Sequence, residues 1–254
     1  MLLCIDLGNT NITFGLYDGD DLHSQWRINT DHHKMPDEYG VLFLNLLAHA
    51  GHHSRGVTGI CMCSVVPPLT GILEQMCNAY FGRTPLLVDA GVKTGVKIRY
   101  DNPREVGADR VVDAAAVYRL YGSPACVVDF GTATTFDAIS REGDYLGGAI
   151  APGIGIAAEA LFTRTAKLPR IDLVRPPRAI GSNTVHSMQS GLLFGYVGLV
   201  EGMVARFRAE LGDDMRVIGT GGLAEIIARE TNVIETVDPW ITLKGLRIVW
   251  ELNQ

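Results

Sequence analysis

Runs of basic residues are missing from this chain. It carries 22 Lys and Arg against 28 Asp and Glu, a net charge of -6. That balance argues against a nucleic-acid or acidic-membrane surface. An acidic protein that handles phosphates must hold them locally, with backbone N–H groups, metal ions and a few placed side chains. Cysteine is scarce: there are five, an odd number, with no pair of Cys-x-x-Cys motifs. A zinc site and a disulfide framework are therefore not expected. Cys4, Cys61, Cys63 and Cys126 sit in strand-like apolar runs and read as buried free thiols, which suits a reducing cytoplasm. The start of the chain lacks the basic and long apolar regions of a signal peptide. The most apolar later run, 191-GLLFGYVGLVEGMVA-205, contains Glu201 and is shorter than the ~18 uninterrupted residues a membrane helix needs. A soluble, cytoplasmic chain is expected. The pairs His32-His33 and His52-His53 have no third ligand at a fitting spacing and read as solvated loops. The pattern G-x-x-x-x-G-K-[ST] is absent, which excludes a P-loop protein.

What is present is a chain of 254 residues, 47% apolar, enough for one large or two modest domains. Period-two apolar patterning and turn residues predict strands at 2–6, 11–17 and 22–28, a helix at 37–50, a strand at 57–65, a helix at 69–81 and a strand at 86–89. A helix is expected over 104–122, stopped by Gly122-Ser123-Pro124. The pattern then restarts, with strands near 125–130, 134–140 and 144–150. A long helix over 183–211 follows, then a strand at 215–219, a helix at 222–230, a strand at 233–236 and a helix at 240–252. The similarity of the two halves suggests duplication of one α/β unit, divided within 115–124, as 1–118 and 119–254.

The same turn opens each half: 6-DLGNT-10 after LLCI, and 129-DFGT-132 after ACVV. In each, a glycine lets the backbone turn sharply beside a ligand. N–H groups and hydroxyls can hold phosphate oxygens. The strand-end carboxylate can hold a cation directly or through water. Asp6, Gly8, Asn9 and Thr10 fit these roles in the first half, and Asp129, Gly131 and Thr132 in the second. Two such turns facing each other across a cleft would grip a polyphosphate. Two ordinary β-turns after buried strands are the blander alternative. A third glycine turn, 219-GTGG-222, lies between a strand and a helix, and reads either as a nucleotide contact or as a simple β-to-α connection.

The segment 107-GADR-110 offers Asp109 as a general base for an acceptor hydroxyl, or as a helix N-terminal carboxylate serving the dipole. Arg110 supplies a cation for a carboxylate or phosphoryl oxygen. Asp113 reads as a second acid or, preferably, as a structural partner of an arginine. Tyr100 precedes the turn 101-DNP-103, where it would carry a wet hydroxyl. Thr184 stands near a helix N-cap in 181-GSNT-184. Ser187, Gly191, Gly195, Gly198 and Gly202 form one stripe of small residues on the long helix. It serves either internal packing or a homodimer contact.

The order Asp-x-Gly-x-Thr, Asp-x-Gly-Thr and Gly-Thr-Gly-Gly resembles the actin-like ATPase and sugar kinase superfamily. The segments 6-DLGNTNITFG-15, 64-SVVP-67, 100-YDNPREVGADR-110, 129-DFGTATTFD-137, 147-GGAIAPG-153 and 219-GTGG-222 resemble the type III pantothenate kinases. The resemblance implies an α/β fold of duplicated ribonuclease-H-like domains, each with a mixed sheet opening on three strands and flanked by helices. It implies ATP-dependent phosphorylation of pantothenate, with Asp109 as catalytic base. Asp6, Leu7, Gly8, Asn9, Thr10, Asn11, Ile12 and Thr13 would contact ATP, with Gly131, Thr132, Gly221 and Gly222. Tyr100, Gly107, Ala108, Asp109, Arg110 and Thr184 would contact pantothenate. Asp6 would lie near Mg²⁺, and Asp129 would hold a monovalent cation, K⁺ or NH₄⁺. A homodimer is implied as well. The alternatives are another actin-like small-molecule kinase, a phosphohydrolase, or a non-catalytic transcription accessory protein. The last would need a nucleic-acid or partner surface that the composition does not show.

Overall fold

A computed structural model describes all 254 residues. The chain divides into two compact units, Met1–Ala116 with Ile241–Gln254, and Val117–Trp240. The last helix, expected at the end of a second half spanning 119–254, thus belongs to the first unit.

The first unit contains β1 (Leu2–Leu7), β2 (Asn11–Asp18), β3 (Asp21–Asn29), α1 (Pro36–His49), β4 (Gly59–Ser64), α2 (Pro67–Phe81) and β5 (Leu86–Leu87). α3 (Ala108–Leu120) leads into the second unit. Its sheet runs in the order β3-β2-β1-β4-β5. β1 is antiparallel to β2 and parallel to β4. Side chains alternate across a strand, so Leu3, Ile5 and Leu7 share one face of β1. They are fully buried with Phe14 of β2, Tyr39 and Phe43 of α1, and Leu69 and Leu73 of α2. Phe14 stacks on Phe43 with ring centroids 3.9 Å apart. Burial of each such side chain is worth about 1.5–3 kcal/mol. Cys4 and Asp6 take the opposite face. There α7 (Ile241–Leu252) packs on β1, β4 and β2. Three glycines make room for it: a Cβ on Gly15 would meet a Leu243 methyl, one on Gly59 the Trp250 ring, and one on Gly245 the Val112 carbonyl of α3.

The second unit holds β6 (Ala125–Phe130), β7 (Ala133–Ile139), β8 (Tyr145–Pro152), α4 (Ile154–Arg164), α5 (Thr184–Leu211), β9 (Arg216–Thr220), α6 (Ala224–Ala228) and β10 (Thr236–Val237). Its sheet order, β10-β9-β6-β7-β8, repeats that of the first sheet element for element. Cys126, Val128 and Phe130 of β6 face a core built with Ile154 of α4, Leu193, Val197 and Val200 of α5, and Ile227 of α6. α5 is long and apolar enough to cross a membrane by length and composition alone. Its buried residues make it the central helix of this core.

The order of elements follows the sequence expectation, with differences. α4 lies where no element is expected. The helix expected from 104 begins at Ala108, because the Asn102 side chain accepts from the Arg104 N–H and holds 103–105 in a separate 3₁₀ turn. The expected strand 86–89 shrinks to two residues, the helix 222–230 to 224–228, and the strand at 233–236 to 236–237.

Candidate active site

The first unit builds its site on the face of β1 turned away from the α1/α2 core. Asp6 stands at the end of that strand, beyond Cys4, and is half-buried. Strand register puts it opposite Thr13 of β2 and Cys63 of β4, and Thr13 in turn faces Arg27 of β3. The four residues therefore form one cross-strand row. The Cys63 thiol donates to Asp6 Oδ1 at 3.5 Å, and Arg27 Nε–H donates to Thr13 Oγ1 at 3.4 Å. The turn beyond β1 is clasped by the tail of β3. Thr30 Oγ1 donates to the Gly8 carbonyl at 2.6 Å, and the Thr30 N–H to the Thr10 carbonyl at 2.9 Å. Gly8 N–H donates to the Asn11 carbonyl at 3.1 Å. Asn9 and Thr10 are exposed and Asn11 is half-buried, so this corner is open to a ligand. Leu7 and Ile12 are fully buried in the core, so only their main chain can serve a nucleotide.

Asp109 lies in the first turn of α3. Its Oδ1 accepts the Arg110 N–H at 2.8 Å. A Cβ on Gly107 would press on the same oxygen, so glycine there leaves space for the carboxylate to fold back. Burial holds the Asp109 carboxyl above its ordinary range, opposed by the Arg110 N–H and by the Arg110 charge. Burial also pushes the Cys63 thiol well above its usual value, and the negative charges of Asp6, Asp109 and Asp113 act in the same direction. A neutral thiol thus sits among three carboxylates. Tyr100 is exposed on the loop before the 103–105 turn, and no hydrogen bond joins it to Asp109.

The second unit repeats the device. Asp129 is half-buried on the face of β6 opposite its apolar row, paired in register with Thr135 of β7 and Thr220 of β9. Gly221 follows β9 with φ +89°, and a Cβ there would collide with Asp129 Oδ1 and the Phe130 backbone. Gly131 lies beside the same carboxylate, where an added Cβ would be 3.3 Å from Asp129 Oδ2. Gly153 closes against the turn from β8: its N–H donates to the Thr132 carbonyl at 3.2 Å, and a Cβ would strike that oxygen. The structure thus brings Asp129, Gly131, Thr132 and Gly221 together. Gly222 is the exposed residue that follows. Thr184, the first residue of α5 after the N-cap Asn183, lines a cavity of about 650 Å³ with Leu161, Leu168, Gly181 and Met188.

Sequence reading missed Arg27 and Cys63 as members of the first site. The signal was present only in register, since both lie in strands paired with the Asp6 and Thr13 positions. All five cysteines are free and buried. No cluster of three or more His, Cys, Asp or Glu able to hold a metal ion occurs, the histidine pairs included.

A family model described as type III pantothenate kinase matches residues 2–206. Type III pantothenate kinases of Moorella thermoacetica, Geobacter sulfurreducens and Roseiflexus castenholzii are 56%, 54% and 53% identical over 253, 254 and 254 residues, covering 100% of both chains in each case. Among solved structures, a Baf family transcriptional activator from Campylobacter jejuni aligns with a TM-score of 0.64 at 20% identity, over 99% of this chain and 98% of its own. An inorganic polyphosphate/ATP-glucomannokinase from Arthrobacter sp. strain KM aligns with a TM-score of 0.52 at 13% identity, over 100% and 99%. At these identities the two structures speak for the actin-like fold alone.

Proposed function

Because the chain belongs to the type III pantothenate kinases, we propose that it phosphorylates pantothenate with ATP to give 4′-phosphopantothenate and ADP, the entry step to coenzyme A. The full-length identity to relatives of that name is the observation that carries the reading. In the reaction, the 4′-hydroxyl oxygen of pantothenate bonds to the γ-phosphorus while the bond from that phosphorus to the β,γ-bridging oxygen breaks. ADP leaves with the electron pair. Asp109 takes the hydroxyl proton, a role worth ~10²–10⁴-fold. Its raised pKa supports a carboxylate able to accept a proton at that moment.

Residues Asp6 to Thr13 are assigned to ATP and its phosphates, with Gly131, Thr132, Gly221 and Gly222. Tyr100, Gly107, Ala108, Arg110 and Thr184 are assigned to pantothenate beside Asp109. Asp6 would hold Mg²⁺ through water, and Asp129 a potassium or ammonium ion. Such cations neutralise phosphate charge when bound. The hydrogen bond from Cys63 holds Asp6 in place for this, and the glycines around Asp129 make room for its carboxylate.

A homodimer is part of the reading. Cβ atoms added to Gly191, Gly195 or Gly198 would meet nothing within 4 Å. These three glycines of the α5 stripe have open space beside them, although each helical glycine costs about 1 kcal/mol relative to alanine.

The test is to incubate the protein with ATP, Mg²⁺, K⁺ and pantothenate and to seek 4′-phosphopantothenate by mass spectrometry. Product from another small alcohol, and none from pantothenate, would reassign the substrate.

A further inference from the structure

We propose that Arg27 of β3 is a phosphate-binding residue of the ATP site, holding the triphosphate over the Asp6 corner; the assignment rests on the kinase reading above. Three observations carry it. First, Arg27 belongs to the cross-strand row that contains Thr13, Asp6 and Cys63. Its side chain therefore lies on the face that carries the strand-end carboxylate. Second, its Nε–H donates to Thr13 Oγ1 at 3.4 Å. That bond sets the direction of a planar fork whose geometry suits two phosphate oxygens at once. Arg27 is exposed while Thr13 is 7% exposed, so the side chain is tied at its base to a buried hydroxyl and reaches the surface. Third, the same strand leads directly into Thr30, which clasps the Gly8 and Thr10 carbonyls. β3 thus shapes the phosphate turn and carries a cation beside it.

The chemistry has a use for such a group. Phosphoryl transfer is helped by positive charge at the phosphates, and P-loop enzymes supply a lysine from the loop itself. The turn here, 6-DLGNTNIT-13, contains no lysine or arginine. Arg110, the cation next to the candidate base, is assigned to the acceptor. A merely structural Arg27 would tie β3 to β2 and nothing more.

The two roles separate by ligand. Arg27→Gln and the unaltered protein are titrated by ligand-observed NMR with AMP-PNP in Mg²⁺ and, separately, with adenosine; melting temperatures check the fold. The expected result is an affinity for AMP-PNP reduced about tenfold or more, with adenosine changed less than about twofold. Equal losses for both ligands, or no loss for either, would overturn the assignment. If Arg27→Gln does not fold, Arg27→Lys serves. It keeps the charge but not the fork, and is expected to weaken AMP-PNP by about threefold or more with adenosine unchanged; AMP-PNP affinity equal to wild type would overturn the assignment. Pantothenate turnover by the unaltered protein is scored independently. A selective loss of AMP-PNP in an enzyme that phosphorylates a different alcohol would leave Arg27 assigned and the substrate revised. Full pantothenate activity with unchanged AMP-PNP binding in the variant would do the reverse.

Discussion

At the scale of single residues, the carboxyl of Asp109 is the group whose titration can be read in two ways. Its folded pKa lies above the ordinary carboxylate value because burial opposes the charge. A base must be ionised, so kcat/KM is expected to fall as pH drops through this raised value, giving an acid limb displaced above the usual carboxylate range. Asp109→Asn should cost ~10²–10⁴-fold in kcat, and turnover within a few-fold of wild type would remove Asp109 from the role of base. Stability moves the other way. A raised folded pKa means that ionisation favours the unfolded chain. The penalty is absent below the unfolded pKa and appears in full above the folded one. Asp109→Asn, whose amide oxygen can still accept the Arg110 N–H, should therefore melt higher than wild type near neutral pH. The difference should close as the pH is lowered into the ordinary carboxylate range. A second residue-scale expectation concerns Tyr145, which is fully buried and donates to Asp137 Oδ1 at 2.8 Å. Asp137 is 2% exposed and also accepts from Thr135 Oγ1 at 3.0 Å. Tyr145→Phe takes a donor from a buried carboxylate and should lower unfolding free energy by about 1–3 kcal/mol in urea titration, without touching nucleotide binding.

Elements show why some of this was legible and some was not. The strand ends Asp6 and Asp129 could be read because alternation and glycine turns are local signals. The row across β3, β2, β1 and β4 could not, because register between strands distant in sequence is decided by the packed sheet. Arg27 and Cys63 were hidden for that reason. α4 was hidden by its own start: Pro152-Gly153 and Gly155 announce a turn, and the helix forms because Ile154 and its neighbours pack into the second core. Gly153 and Gly221 punctuate the sequence like any other glycine, yet in the fold each meets backbone of the β6–β7 turn. Gly221→Ala must adopt φ +89° and displace the Asp129 carboxylate. A loss of more than about 2 kcal/mol in unfolding free energy is expected from left-handed strain plus collision, measured by urea titration. Gly19→Ala is the control. Gly19 has φ +57° and open space around it, so only the conformational cost of about 1–2 kcal/mol should appear.

For the whole molecule, the identical strand orders of the two units explain the repeated acidic corner: the same sheet, entered by the same three strands, delivers a carboxylate at the same strand position. α7 breaks the symmetry by returning to the first sheet. α5 breaks it differently, since it presents the exposed glycines Gly191, Gly195 and Gly198, where an added Cβ would meet nothing. The sign of one substitution distinguishes the two meanings of that surface. On a helix facing water, Gly195→Ala gains about 0.5–1 kcal/mol by removing backbone freedom from the unfolded chain. Where a second copy packs its backbone against the stripe, the same methyl group has no room and destabilises the assembly. A dimer predicts that Gly195→Ala lowers the melting temperature and shifts light scattering toward the single-chain mass, most strongly on dilution. A higher melting temperature, with wild type already at single-chain mass at the concentration where it turns over, would leave the stripe as bare helix surface.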